Sequence, residues 1–326
     1  MATAVARAHP NIAFIKYWGN RDNALKIPSN GSLSMNLDGL FTETSVTWHE
    51  GEGQDSLLLN GKEAEEAALV RVQRHLNMLR ERLGVRGRGE VISVNNFPMG
   101  VGIASSAASF AALTVSAVRA MGISLDEREL TRLARIGSGS ASRSVPTGFV
   151  EWLAGDDHMS SYAYSFAEPS HWDLVDVVAV VSDAHKKVGS EDGHKTAETS
   201  DLQEARVAGA DARIRACKRA IEDRDFASFA EVVEMDSNLM HAVMMTSRPP
   251  LFYWQAATMT VMQAVRELRQ DGLSVCYTLD AGPNVHCLCL SKDMAQVQTA
   301  LARLDGVRDL RMASVGMGAQ VLDVSE

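Results

Sequence analysis

Apolar and polar positions alternate with a period of two along "SLSMNLDGLFTETSVTW", and residues 33–48 therefore read as strand, as do residues 5–18. The segment between them, "GNRDNALKIPSNG", is polar and turn-rich and reads as a loop. In "GKEAEEAALVRVQRHLNMLRERLG" the period changes to that of an amphipathic helix, which stops at Gly84. "EVISVNN" is again a strand. A run of Gly, Ala and Ser follows, then an apolar helix from about Ser105 to Met121. "SLDERELTRLARIG" predicts a helix with Ser124 as N-cap, Glu127 three residues on completing a capping box, and an end at Gly137.

"DLVDVVAVVS" (Asp173 to Ser182) is continuously apolar enough for a central strand. The polar loop "DAHKKVGSEDGHKT" interrupts the pattern and marks a domain junction, giving domains at 1–184 and 185–326. Helical pattern then runs from Asp201 to Ala242, breaks at Pro249-Pro250 and resumes from about Phe252 to Gln270. "SVCYTLDAGPNVHCLCL" reads as strand, turn, strand. A helix over Met294 to Leu304 and a last strand close the chain. Strands and helices mixed without strict βαβ alternation predict an α+β fold. There is no internal repeat.

The 326 residues carry 32 basic and 41 acidic side chains, a net charge of −9. That balance argues against nucleic acid as partner, which calls for clustered Lys and Arg. No run approaches the ~18 apolar residues of a membrane span, and the first residues lack a secretory pattern. The expectation is a cytoplasmic protein with no membrane partner. Cys217, Cys276, Cys287 and Cys289 do not form a disulfide framework at this length. Alternation puts Cys287 and Cys289 on one strand face and His286 on the other, so core packing outweighs a metal site. Met235, Met240, Met244 and Met245 read the same way, as core beside a site rather than a partner groove.

The Gly, Ala and Ser run is "PMGVGIASSAA". Small residues leading into a helix N-terminus expose backbone N–H groups to a phosphate, while close helix packing favours the same residues. The run is not a Walker motif, since no Gly-Lys-Ser/Thr follows. It resembles the Pro-x-x-x-Gly-Leu-x-Ser-Ser-Ala loop of the GHMP small-molecule kinases, with Ile103 in place of Leu. "HPNIAFIKYWGNRD", "RIGSGSASRSVPTGFVEW", "EMDSNLMHA" and "YTLDAGPNVH" resemble, in that order, segments of one branch, the mevalonate diphosphate decarboxylases. The matches span about residues 9 to 290.

The resemblance implies a GHMP kinase fold, with an N-terminal ribosomal-protein-S5-like ATP-binding lobe and a C-terminal ferredoxin-like lobe. It implies an ATP-dependent carboxy-lyase that uses Mg2+ and forms a homodimer. It assigns catalysis to Asp280, Lys16 and Arg143. Asp280 accepts the hydroxyl proton, Lys16 faces it, and Arg143 holds the substrate carboxylate. Residues alone leave blander roles open: a turn Asp, a snorkelling Lys, a surface ion pair. Ser138, Gly139 and Ser140 add hydrogen bonds. Tyr17 contacts the phosphorylated end, and Asn11 supports the site. Gly100, Gly102, Ala104, Ser105 and Ser106 bind ATP, with Ser106 toward the metal. The Lys16 and Asp280 pair separates decarboxylases from related 3-kinases that stop after phosphorylation. The intact set also weighs against a non-catalytic relative.

Two positions depart from the family. "KYWGNR" has Asn20 where "KYWGKR" is usual, and Ser190-Glu191 stands about where many bacterial members have Ser-Arg. Asn20 removes a positive charge and Glu191 reverses another. The expectation is mevalonate 5-phosphate as substrate and isopentenyl phosphate as product, with mevalonate 5-diphosphate as the alternative. Lys186, Lys187, His194 or Lys195 is expected to supply the remaining cation.

Overall fold

The computed structural model describes residues 2–97, 105–182 and 188–325. Three larger sheets organise the described residues, beside a two-stranded pair of Asn20–Asp22 with Ile27–Pro28. In the first, strands follow the order Gln320–Ser325, Ala2–Ala8, Thr42–His49, Arg88–Asn95, Ser56–Leu59, Lys62–Glu63. The second runs Ala163–Ala167, Phe149–Trp152, Ser32–Asn36, Asn11–Ile15, and the third Val275–Thr278, Val285–Leu290, Leu174–Val180, Asp309–Ser314.

The alternation in Thr42–His49 is realised residue by residue, each buried position followed by a half-buried one. That strand pairs with both Ala2–Ala8 and Arg88–Asn95. One face of this sheet is covered by helix Ser105–Ala120, whose Ala107, Ala108, Ala111 and Ala112 are wholly buried. Small side chains let the helix axis come close to the sheet. Close packing therefore accounts for the alanines of this helix, whatever the loop before it does.

Each long strand read from the sequence is in fact two. Residues 5–18 split at His9-Pro10 into Ala2–Ala8 and Asn11–Ile15. Residues 33–48 split at Asp38-Gly39 into Ser32–Asn36 and Thr42–His49, where Gly39 has φ +82°. Proline lacks the donor a ladder needs, and the positive φ suits glycine. The first split sends the chain from the first sheet into the second, and the second split returns it to the first.

The helix after Gly122 begins at Glu127, capped by the Asp126 carboxylate, which accepts from Glu129 N–H at 2.7 Å. Ser124 is not the cap. A carboxylate satisfies the free N–H groups and the helix dipole together. Gly84 does end helix Glu66–Leu83, at φ +67°. The run 201–242 is broken into Gln203–Ala208, Ala210–Asp223 and Phe226–Thr246.

Strand Leu174–Val180 is fully buried and interior, paired on both sides. Its partners come from residues 275–314, so the third sheet reaches back across the junction expected at 184/185. The last strand, Gln320–Ser325, returns to Ala2–Ala8. One apolar cluster joins the second and third sheets through Ile12, Phe14, Phe149, Trp172, Phe229 and Leu288. The four cysteines are free and buried, and no group of His, Cys, Asp and Glu among the described residues can hold a metal. Met240 and Met244 lie in the core, while Met235 is exposed. Among the described residues, no helix is long and apolar enough to cross a membrane.

Candidate active site

A cavity of about 480 Å³ opens among the helix starts and turns beside strand Asn11–Ile15. Strand Asn11–Ile15 runs toward it and ends against Lys16, a buried cation on an apolar strand. Lys16 Nζ donates to Asp280 Oδ1 at 2.8 Å. Asp280 sits in the turn between Val275–Thr278 and Val285–Leu290 and is 27% exposed, against 1% for Lys16. Burial pulls the Lys16 ammonium below its ordinary range, and the Asp280 charge opposes that pull. Asp280 thus favours the charged form of the lysine against burial, and it lines the cavity itself.

The backbone of Lys16 is clamped on both sides. Its N–H donates to Asp236 Oδ2 at 2.6 Å. Its carbonyl accepts from Arg206 Nη2 at 2.9 Å and Asn30 Nδ2 at 3.0 Å. Asp236 also accepts from Arg213 Nε at 2.7 Å. Helix Phe226–Thr246 supplies Asp236 and the next residue, Ser237, whose Oγ accepts from Leu279 N–H at 3.0 Å. One helix therefore fixes the strand that carries Lys16 and the turn that carries Asp280. Sequence reading missed Asp236, Ser237, Arg206, Arg213 and Asn30 as site residues. The available signal was an Asp-Ser pair inside an otherwise Met- and Val-rich helix.

Arg143 lies in the short helix Gly139–Ser144 and is buried. Its Nη1 donates to Ser32 Oγ at 2.7 Å and its Nε to Asn11 Oδ1 at 3.2 Å. Asn11 Nδ2 in turn donates to Ser144 Oγ at 2.8 Å, which fixes its amide orientation. No carboxylate lies within ion-pair distance of Arg143 among the described residues. Burial lowers the guanidinium to about 10, so it is charged at neutral pH. A buried guanidinium that lines a cavity with no carboxylate at ion-pair distance is a receptor for one.

Tyr17 OH donates to Asn20 Oδ1 at 2.5 Å, and the ring stacks on His194 with centroids 4.1 Å apart. A Cβ on Gly139 would stand 2.5 Å from the Tyr17 ring, so glycine is needed there for packing. His194 Nδ1 accepts from Gly19 N–H at 3.0 Å, and burial pulls its pKa down to about 3. It is neutral and supplies no cation, contrary to the expectation. Lys195 is paired with Asp192 at 2.8 Å. Lys186 and Lys187 lie outside the described residues. Lys26 and Arg71, which sequence reading did not single out, line the cavity with Asn20, Ser190 and Glu191.

Ser105, Ser106, Ser138, Gly139 and Ser140 line the same cavity, and the Ser106 and Ser138 hydroxyls are 3.2 Å apart. Gly100, Gly102 and Ala104 lie outside the described residues. The site therefore unites a carboxylate–ammonium pair, a buried guanidinium and a hydroxyl-lined wall at a helix start.

Residues 8–163 match the diphosphomevalonate decarboxylase-like N-terminal domain, and residues 176–317 the mevalonate 5-diphosphate decarboxylase C-terminal domain. The chain belongs to the diphosphomevalonate decarboxylase family. The diphosphomevalonate decarboxylase of Candida albicans is 40% identical over 302 residues, 87% of this chain and 83% of that one. The human enzyme is 37% identical over 324 residues, 92% and 80% of the two chains. The structure is similar to the mevalonate diphosphate decarboxylase of Staphylococcus aureus, with TM-score 0.93 and 36% identity over 99% of each chain. It is as similar to a decarboxylase solved with MVAPP, AMPPCP and magnesium, with TM-score 0.93 and 33% identity over 99% and 100% of the chains. A further similar structure, of the Enterococcus faecalis mevalonate diphosphate decarboxylase, with TM-score 0.91 and 32% identity, is described for mevalonate diphosphate-mediated ATP binding, and the present chain shares with these structures a fold of mixed helix and sheet. The expectation of isopentenyl phosphate as product finds no support among these relatives, which are named for the diphosphate.

Proposed function

We propose that this diphosphomevalonate decarboxylase family member converts mevalonate 5-diphosphate and ATP to isopentenyl diphosphate, ADP, phosphate and CO2. The observation that carries the reading is the buried Lys16–Asp280 pair in one cavity with the unpaired Arg143. The names of the relatives carry the choice of diphosphate.

Arg143, oriented by Asn11 and Ser32, holds the substrate carboxylate bidentately. That places the tertiary hydroxyl of the neighbouring carbon toward Asp280, which accepts its proton as the hydroxyl attacks the terminal phosphate of ATP. Lys16 stabilises the charge that gathers on the phosphate as it leaves with its C–O electron pair. The C–C bond to the carboxylate breaks in the same step, CO2 departs, and the electron pair becomes the alkene. Ser105 and Ser106, which line the cavity, would stand beside the nucleotide phosphates, and Mg2+ would there neutralise phosphate charge.

A second reading, mevalonate 5-phosphate as substrate, is favoured by one observation. Asn20 Oδ1 is taken by Tyr17, and Glu191 lines the same cavity as an anion. ADP and CO2 release with the two substrates in parallel decides between them. A higher kcat/KM for the diphosphate supports the proposal, and a higher value for the monophosphate replaces it with the second reading. ADP without CO2 from either means a 3-kinase.

Burial lowers the Lys26 ammonium to about 8, with Arg71 and Arg74 pushing the same way and Glu191 opposing. The Gly137 carbonyl also accepts from it at 3.0 Å, and the neutral His75 and His194 lie near. Lys26 is charged below pH 8 and loses its charge as the pH rises through that value. Affinity for a phosphorylated ligand is expected to fall over the same range. Lys26→Arg, which keeps its charge, is expected to flatten the profile. A profile for Lys26→Arg that matches the unmodified protein would remove Lys26 as the cause.

A further inference from the structure

The Glu191 carboxylate is surrounded by three cations from two other parts of the chain. Arg74 Nη2 lies 3.2 Å from its Oε1, Lys26 Nζ 3.8 Å from the same oxygen, and Arg71 Nε 3.9 Å from Oε2. Glu191 opens helix Ser190–Thr196, Arg71 and Arg74 stand one turn apart on helix Glu66–Leu83, and Lys26 precedes strand Ile27–Pro28. No other carboxylate comes within ion-pair distance of these cations among the described residues.

One anion for three cations leaves the cluster with surplus positive charge. The geometry repeats the point. Only the contact with Arg74 is short enough for a hydrogen bond, while Arg71 Nε is buried and has no hydrogen-bond acceptor. The guanidinium of Arg71 rests over the Phe110 ring at 5.0 Å, which holds it in place without neutralising it. Lys26 and Arg71 line the cavity with Ser105, Ser106 and Ser138. A single carboxylate has too few oxygens to satisfy three donors of this spread. A di- or triphosphate has enough oxygens and enough charge.

We propose that Glu191 is an internal counter-anion. It occupies the Lys26, Arg71 and Arg74 cluster in the ligand-free protein and is exchanged for a polyphosphate when one binds. This deepens the proposed function and rests on it for the ligand's identity, since the polyphosphate is that of ATP or of the 5-diphosphate substrate. The exchange makes Glu191 a determinant of affinity, because every phosphate that enters must displace a carboxylate already in place. It also revises the role expected of Glu191 from sequence. The carboxylate does not simply repel a terminal phosphate, since it is held by the same cations the phosphate needs.

Calorimetric titration of inorganic pyrophosphate into the intact protein and into Glu191→Gln tests the exchange. Glu191 is partly exposed, so the amide is expected to fold normally. Pyrophosphate is expected to bind Glu191→Gln at least fivefold more tightly, by about the ratio a competing internal anion imposes. Arg74→Gln, which removes the cation closest to Glu191, is expected to weaken binding. Parallel titrations with Mg-AMPPCP and with mevalonate 5-diphosphate assign the source: the ligand that gains affinity in Glu191→Gln is the one that displaces the carboxylate. Equal or weaker pyrophosphate binding in Glu191→Gln overturns the proposal. The proposed function is read separately by CO2 release. Normal turnover with no gain in binding removes the counter-anion alone, and a gain in binding without turnover removes the reaction alone.

Discussion

Asp280→Asn is expected to lower kcat by roughly 10²–10⁴-fold, the range that positioned proton transfer contributes, while ATP binding persists. The amide keeps the shape of the side chain and its place in the turn. It cannot accept the hydroxyl proton. It also leaves Lys16, which is 1% exposed, without the carboxylate 2.8 Å away that favours its charged form. Burial already draws the Lys16 pKa down, so losing the Asp280 charge takes away the main opposition to that shift. One substitution therefore removes the proton acceptor and weakens the cation beside it. Single-turnover formation of ADP and CO2 measures the loss. A rate within tenfold of the unmodified protein would show that proton acceptance at Asp280 does not limit the reaction. Lys16→Met offers a comparison, since it removes the cation and leaves the carboxylate, and is expected to slow CO2 release more than ADP formation.

Local physics explains which elements were legible in the chain. Strict alternation marked Thr42–His49, and an amphipathic run with a glycine stop marked Glu66–Leu83. The errors fell where a second sheet had to be reached. Pattern alone ran through His9-Pro10 and Asp38-Gly39, because the apolar residues on both sides serve different cores. The pairing of Lys16 with Asp280 spans 264 positions and no period or spacing reports it. It was legible only through the resemblance of four ordered segments. The clamp on Lys16 was not legible at all. Asp236 acts across 220 positions and Arg206 across 190. An Asp or Arg on a helix looks the same in sequence whether it meets water or a buried backbone. The cations around Glu191 were missed for the same reason, since Arg71 and Arg74 read as the polar face of an amphipathic helix.

Asp236→Asn tests whether that clamp sets the stability of the site. Asp236 is fully buried and takes two charge-relevant contacts, the Lys16 N–H at 2.6 Å and Arg213 Nε at 2.7 Å. The asparagine carbonyl can still accept from Lys16. Arg213, itself 9% exposed, then carries a positive charge with no anion beside it, and Arg206 packs close by with its Nη2 on the same backbone. Removing one partner of a buried pair costs roughly 3–5 kcal/mol. For a chain of 326 residues that is a fall of roughly 4–7 °C in thermal midpoint. Arg213→Met added to Asp236→Asn removes the stranded charge and is expected to recover part of the loss, because a buried pair replaced on both sides costs far less than one broken on one side. Activity is expected to follow a different course. It should stay reduced in the double variant, since Lys16 now hangs from a neutral acceptor in a loosened frame. Thermal midpoints and CO2 release on the two variants separate these effects. A midpoint for Asp236→Asn that does not move would mean that the clamp is held by Arg206 and Asn30 instead, with Asp236 contributing no more than a hydrogen bond.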